Sequence, residues 1–259
     1  MKILFFLIGL ILPVAGLCQQ TTMQAIQIQQ FGGPEVLELH EIPQPIAGVG
    51  ELLLRVHAAA INPVDTSVRA GRAGGLSGAG IPYVPGFDVS GVVSAVGPGV
   101  TGFNIGDEVF AMLDLRRGGG YAEYAIVKES EAALKPTNTS HEEAASIPLV
   151  ALTAWQTLFE IADLQAGQTV LIHAGAGGVG SVAVQLAKWK GARVIATASE
   201  YNHDFLRGIG VDVTVDYRTQ RFEDFAQDVD VVLDPIGGET QVRSLAILKQ
   251  GGTLVSIVG

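Results

Sequence analysis

At 259 residues, with 48% hydrophobic and only 16% charged side chains, the chain has enough apolar surface to fill two ordinary cores, which excludes a disordered protein. A net charge of −10, with no basic run longer than Arg116-Arg117, argues against nucleic acid and for a small-molecule partner. The single cysteine, Cys18, excludes an internal disulfide and a multi-thiolate zinc centre.

In chain order, Lys2 is followed by an apolar run over 3–12, then Pro13 and the small residues Val14-Ala15-Gly16. These are the parts of a secretory signal peptide, expected over residues 1–22, and the run is too short to span a bilayer. Export to the periplasm or the medium is the expectation, with no membrane span in the mature chain. A start at Met23 would make the protein cytoplasmic.

From Met23 short apolar or alternating runs follow at 25–29, 36–41, 51–61, 89–96, 108–112 and 121–127, separated by Gly, Pro and Asn. Such runs predict strands joined by turns, hence a mostly antiparallel first domain over 23–150. Ser140 with Glu143 three residues on predicts a helix start. The second domain is expected over 151–259, and from Thr169 the rhythm becomes strand, helix, strand. Runs rich in β-branched residues at 169–174, 193–199, 213–217, 229–233 and 253–258 alternate with helical stretches such as 179–190. That pattern predicts a parallel sheet covered on both faces.

The first strand-to-helix junction of this second domain reads His173-Ala174-Gly175-Ala176-Gly177-Gly178-Val179-Gly180. Gly175, Gly177 and Gly180 complete a G-x-G-x-x-G fingerprint directly after a strand and at the head of a helix. Its glycines serve a tight turn, close backbone approach to a pyrophosphate and close helix-to-strand packing. The pyrophosphate would lie on the helix N-terminus, where free N–H groups and the dipole favour anions. Gly175, Ala176, Gly177, Gly178, Val179 and Gly180 are therefore the candidate cofactor-binding residues. His173 reads as a strand-end residue.

With Gln185-Leu186-Ala187-Lys188 after it, this segment resembles the zinc-independent quinone oxidoreductases of the medium-chain dehydrogenase/reductase superfamily. Supporting segments are Phe31-Gly32-Gly33-Pro34-Glu35-Val36-Leu37, Ala60-Ile61-Asn62-Pro63-Val64-Asp65, Pro85-Gly86-Phe87-Asp88-Val89-Ser90-Gly91, Gly120-Tyr121-Ala122-Glu123-Tyr124, Leu152-Thr153-Ala154-Trp155 and Val215-Asp216-Tyr217-Arg218. The resemblance implies an α/β protein: a GroES-like, mostly antiparallel β domain followed by a Rossmann doubly wound parallel sheet over 151–259. It also implies an NADPH-dependent reductase of quinones or related α,β-unsaturated carbonyls, acting as a homodimer. An enoyl or enone reductase, and a non-catalytic nucleotide-binding protein of the crystallin kind, stand as alternatives.

The cofactor follows from charge. About 20 residues past the fingerprint, where an acidic residue would hold the ribose of NAD, stand Ala198 and Ser199, which favours NADPH. The resemblance implies that Ser199 and Tyr217 hold the 2′-phosphate with His203 as the basic partner, and that Thr153 touches the cofactor. Glu200 is an unfavourable neighbour unless it faces solvent.

Zinc relatives of this family carry a cysteine where Asn62 stands and Gly-His-Glu where this chain has Gly86-Phe87-Asp88, so no metal ligands are expected. Hydride transfer must then work by positioning and by hydrogen bonds to the acceptor oxygen. Asn62 is the candidate polar group near the nicotinamide, or else a turn residue before Pro63. Asp65 lines the cleft or caps the helix at 66–69. Tyr83 and Tyr121 are candidate donors to the acceptor oxygen, or packing residues. Related enoyl-thioester reductases place a proton-donating tyrosine where this chain has Ala73. Finally, only five strands are counted in the second domain where six are usual. The resemblance implies a longer chain, so residues 23–259 are expected to be an incomplete catalyst.

Overall fold

A computed structural model describes residues 21–72 and 80–258. The signal segment as far as residue 20, and Ala73, lie outside the described residues. Among the described residues no helix is long and apolar enough to cross a membrane.

In the first domain β1 (Thr22–Gln27) pairs antiparallel with β2 (Glu38–Pro43). Strand was expected from residue 36, but Pro34 opens a 3-10 turn over Pro34–Val36 and pairing begins only at Glu38. A five-stranded antiparallel sheet follows, built from β3 (Glu51–Ala60), β4 (Asp88–Val96), β5 (Glu108–Met112), β6 (Tyr124–Lys128) and β7 (Ala132–Leu134) in the order β6-β3-β4-β5-β7. The short β7 had no signal in the sequence. Leu52, Leu54, Val89, Val93, Val109, Ala125 and Val127 form the sheet's core cluster. Two register shifts in β3 coil the sheet around them. Gly91 makes the second shift feasible, since a Cβ there would lie 2.2 Å from the Arg55 carbonyl oxygen. Between β3 and β4 runs the helix α1 (Pro63–Arg69).

The connection to the second domain is helical. Ser140 caps α2 (His141–Ala145): its Oγ accepts from Glu143 N at 3.2 Å while the Glu143 carboxylate accepts from Ser140 N at 2.8 Å. Then α3 (Pro148–Trp155) runs on through a π-helical segment to Ile161 and packs beside α4 (Gly178–Lys190).

The second domain is a five-stranded parallel sheet of β8 (Thr169–Ile172), β9 (Arg193–Ala198), β10 (Val213–Asp216), β11 (Val229–Asp234) and β12 (Leu248–Ser256), in the order β10-β9-β8-β11-β12. Alternation along β8 sends Val170 and Ile172 into the cluster beneath α4, and Leu171 into a second cluster with Phe222, Val232 and Ile247 on the opposite face. Helices α5 (His203–Gly208) and α6 (Gly238–Leu245) link the outer strands. β12 starts five residues before the expected position. Gly251, at φ +79°, forms a bulge that lets Leu248 pair with Val229 and Thr253 with Val231.

Candidate functional site

The fingerprint turn is held open by glycine at three positions for three different reasons. A Cβ on Gly175 would meet Ala196 Cβ at 2.8 Å, so this residue lets the turn lie against β9. A Cβ on Gly180 would fall 2.3 Å from the Ala174 oxygen, so this one lets α4 pack on the turn. Gly177 caps the helix, and its nearest neighbour would be the Ala174 oxygen at 3.2 Å; its freedom serves the cleft rather than the fold. Ala174 itself adopts φ +49°, a conformation that L residues avoid. Beyond Gly177 the first N–H groups of α4 lack intrahelical acceptors, as at any helix start.

Ala174 and residues 177–180 form one wall of a cleft of about 560 Å³ between the domains, which Gly175 and Ala176 do not line. Gly177, Gly178, Val179 and Gly180 share it with Asn62 and Thr153, while Met112, Leu115, Leu149 and Val150 supply apolar surface. Thr153 Oγ1 donates to the Leu149 carbonyl at 2.7 Å. Among the described residues, none of the cleft's side chains is titratable. Ala174 also borders a second cavity of about 350 Å³, lined by Thr197, Tyr217, Ile236, Thr240 and Arg243. Together the two trace a groove along the carboxyl ends of the parallel strands, where open α/β sheets bind ligands.

Asn62 lines the cleft and also stands at the head of α1, so both readings of it describe the same residue. Its backbone N–H donates to Asp65 Oδ2 at 2.6 Å and its Nδ2 to Asp88 Oδ2 at 3.0 Å. Asp65 does not line the cleft. It is buried in the first turn of α1, where Oδ1 also accepts from Gly86 N at 3.2 Å, and burial raises its carboxyl above the usual range against those hydrogen bonds.

Tyr83 and Tyr121 take the packing alternative in this structure. Tyr83 is buried with Ile28, Val36 and Phe87, and its hydroxyl donates to the Leu115 carbonyl at 3.3 Å. The Tyr121 hydroxyl donates to the Ala60 carbonyl at 3.3 Å and lies beside the Asp65 carboxylate. Neither side chain lines the cleft, and burial, with Asp65 close by, pushes both phenols upward, so they are poor proton donors.

At the far end of the groove, Ser199 follows β9 and its Oγ accepts from Asn202 Nδ2 at 3.3 Å. Tyr217 lies beside it, its backbone N–H reaching the Ala198 carbonyl at 3.3 Å and its ring 59% exposed. His203 opens α5 with a buried Nε2 that has no partner among the described residues. Sequence reasoning missed Arg218, whose guanidinium carbon lies 5.6 Å from the Tyr217 ring centroid. A basic residue directly after the tyrosine was the available signal. His173 is structural: its ring is buried against Phe222, bonds Thr197 Oγ1 at 3.2 Å and Ser244 Oγ at 2.9 Å, and burial pulls its pKa down to about 4.

Residues 48–137 match the alcohol dehydrogenase GroES-like domain and residues 178–259 the zinc-binding dehydrogenase domain. The chain is 35% identical over 248 residues to a quinone oxidoreductase of Sus scrofa, covering 93% of this chain and 74% of that one. This chain belongs to the quinone oxidoreductase family of the medium-chain dehydrogenases/reductases. It is also similar to the 2-methylene-furan-3-one reductase of Solanum lycopersicum, at 38% identity over 92% of this chain and 62% of the relative. Among solved structures, the quinone oxidoreductase from Coxiella burnetii superposes with a TM-score of 0.84 at 40% identity, covering 91% of this chain and 75% of that one. The chain thus spans between three fifths and three quarters of the length of these relatives. Among the described residues no cluster of three or more His, Cys, Asp or Glu side chains comes together.

Proposed function

We propose that the chain binds NADPH in the groove and transfers hydride to a quinone or a related α,β-unsaturated carbonyl held in the cleft. The observation that carries this reading is the shared cleft, where bare backbone at Gly177 and Gly178 faces the amide of Asn62 and an apolar wall. The fit is physical. An added side chain at Gly177 would stand where a pyrophosphate must approach, and the free N–H groups of α4 suit its charge. At the other end Ser199, Tyr217, Arg218 and His203 offer hydroxyl and basic partners to a 2′-phosphate, while Glu200 is exposed.

Bound there, NADPH would supply the hydride. The protein's part is positional: Thr153 and Asn62 border the space beside the fingerprint, and Met112, Leu115, Leu149 and Val150 give it an apolar wall. With no titratable side chain among the described lining residues, the proton that completes reduction comes from water. Among acceptors, an enone is favoured by the similarity to the furanone reductase and to an NADPH-dependent alkenal/one oxidoreductase of Arabidopsis thaliana, 37% identical over 92% of this chain.

Oxidation of NADPH followed with a panel of quinones, enones and saturated ketones tests the reading. Turnover with the first two and none with the third is expected. Saturable NADPH binding without turnover of any acceptor would favour the non-catalytic alternative, and no binding would remove the reading.

Two further proposals accompany it. A homodimer would form through edge strands of the parallel sheets; light scattering that gives a monomer mass overturns it. Export is proposed from residues 1–22, with a mature N-terminus between Leu17 and Gln20. N-terminal sequencing that starts at Met1 or Met23 would place the protein in the cytoplasm.

A further inference from the structure

Asn62 sits between two buried carboxylates, Asp65 on its backbone N–H and Asp88 on its side-chain Nδ2. Asp88 opens β4 and is wholly buried; its second oxygen, Oδ1, accepts from the N–H of Leu149 in the first turn of α3 at 3.0 Å. Asn62 and Leu149 both line the cleft. One carboxylate therefore joins the polar group on the first domain's wall to the helix that carries Val150 and Thr153. Asn62 makes no side-chain cap hydrogen bond at the head of α1, which leaves its Oδ1 for whatever the cleft holds.

We propose that Asp88 is a positioning residue whose charge decides which end of the Asn62 amide is offered to the cleft. An ionised carboxylate can only accept, so it holds Nδ2 and leaves Oδ1, an acceptor, free. A proton taken from solvent must settle on Oδ2, because Oδ1 faces a backbone N–H that can only donate. Oδ2 then becomes a donor. The amide gains by turning over: Oδ1 accepts from the protonated Asp88, and Nδ2, a donor, is offered to the cleft.

The surroundings permit this exchange. Asp65 on α1 is the like charge nearest Asp88, and the Tyr121 hydroxyl lies beside the pair. The strand partners of Asp88, Ala60 on β3 and Met112 on β5, are uncharged, and α3 presents only the Leu149 amide. Burial pushes the Asp88 carboxyl up to about 6, against the hydrogen bonds from Asn62 and Leu149 and with help from Asp65. The exchange therefore falls close to neutral pH.

The test has a cofactor-free part and a loaded part, and only the second rests on the NADPH reading. In the apoprotein, protection of the Asn62 side-chain amide protons against solvent exchange, corrected for intrinsic rates, is measured by NMR from pH 7.5 to 4.5. The signal is assigned by its loss in Asn62→Ala. We expect protection above the midpoint and its loss, by about tenfold or more, below it. In Asp88→Asn the new amide keeps its oxygen on Leu149 and donates to Asn62 Oδ1, so protection should be low throughout. Protection independent of pH in the wild type, or wild-type protection at pH 7.5 in Asp88→Asn, overturns the proposal. If Asp88→Asn does not fold, the wild-type profile decides alone. In the loaded part, NADPH affinity should change with the same midpoint in the wild type and stay constant in Asp88→Asn; a midpoint retained by the variant overturns the proposal. Absence of NADPH binding at any pH removes the nicotinamide reading and leaves the amide exchange to be judged on the protection data.

Discussion

The two domains meet at one cleft but equip it in opposite ways. The parallel domain contributes backbone: Gly177 and Gly178 line the cleft with no side chain at all. The antiparallel domain contributes a side chain, Asn62, supported by two buried carboxylates from separate elements. Backbone at a helix start is fixed by its own few residues. An amide held by Asp88 is fixed by strand pairing and by a helix some sixty residues further on. The contrast teaches where each wall is vulnerable: the first to local substitutions, the second to changes of charge and of domain alignment.

The largest expected effects separate fold from binding within the fingerprint. Gly180→Val should destabilise the second domain by about 3 kcal/mol or more, because its Cβ would overlap the Ala174 oxygen, and should abolish nucleotide binding. Gly177→Val should also reduce NADPH binding by about a hundredfold, yet cost less stability than Gly180→Val, since its Cβ would meet the Ala174 oxygen at 3.2 Å rather than 2.3 Å. Calorimetric titration and thermal melts check both. Equal destabilisation of the two variants would mean that the turn has no residue reserved for ligand.

Acid should act on the two domains with opposite sign. His173 is held down to about 4 from 6.5, so the unfolded chain takes up a proton that the native state refuses. Its contribution is complete above pH 6.5 and is lost as pH falls towards 4. Asp88 is raised from 3.8 to about 6, so here the native state takes up the proton first, and its ionised form costs stability that returns as pH falls from 6 towards 4. Each is worth about 3 kcal/mol at full separation, and in the wild type the two offset each other. Denaturant unfolding at pH 7 and 5 should show His173→Gln losing less stability on acidification than the wild type, and Asp88→Asn losing more. Parallel slopes for all three proteins would refute the opposition.

Smaller effects bear on the ends of the groove. Tyr217→Ala and Arg218→Ala should each weaken NADPH by about tenfold with little change in NADH, as hydrogen bonds to a charged partner are worth about 1.5–3 kcal/mol. Equal losses for the two nucleotides would exclude a 2′-phosphate contact. Least of all, Tyr83→Phe and Tyr121→Phe should leave turnover within about twofold and cost about 1 kcal/mol of stability each, the value of an ordinary hydrogen bond. A hundredfold loss of turnover would restore them as donors.

Much of this molecule was legible in the sequence because it is local. Alternating runs gave the antiparallel strands and near-continuous apolar runs the parallel ones, since one sheet buries a single face and the other buries two. The fingerprint was legible for the same reason: a tight turn, a helix start and three glycines occupy six consecutive residues. Ser140 and Glu143 announced their helix because a capping box is complete within four residues. Local reading failed where a strand is shorter than any pattern, as at β7, or where glycines that look like a turn sit in a bulge, as at Gly251.

What the tertiary structure alone decided is the environment of side chains whose partners are distant in the chain. Asn62 and Asp65 were visible as polar residues around Pro63, but only the fold separates the one on the cleft from the one buried beneath it. Tyr83 and Tyr121 were plausible donors until packing gave their hydroxyls to the carbonyls of Leu115 and Ala60. Asp88 drew notice merely as a residue in place of a zinc ligand. Its importance arises because β4 carries it, its strand partners Ala60 and Met112 are uncharged, and α3 turns one free N–H towards it. Desolvation and hydrogen bonding depend on what surrounds a group in three dimensions, so the sequence determined which chemical groups this protein has and where its strands and helices run, while folding determined which of those groups face the cleft.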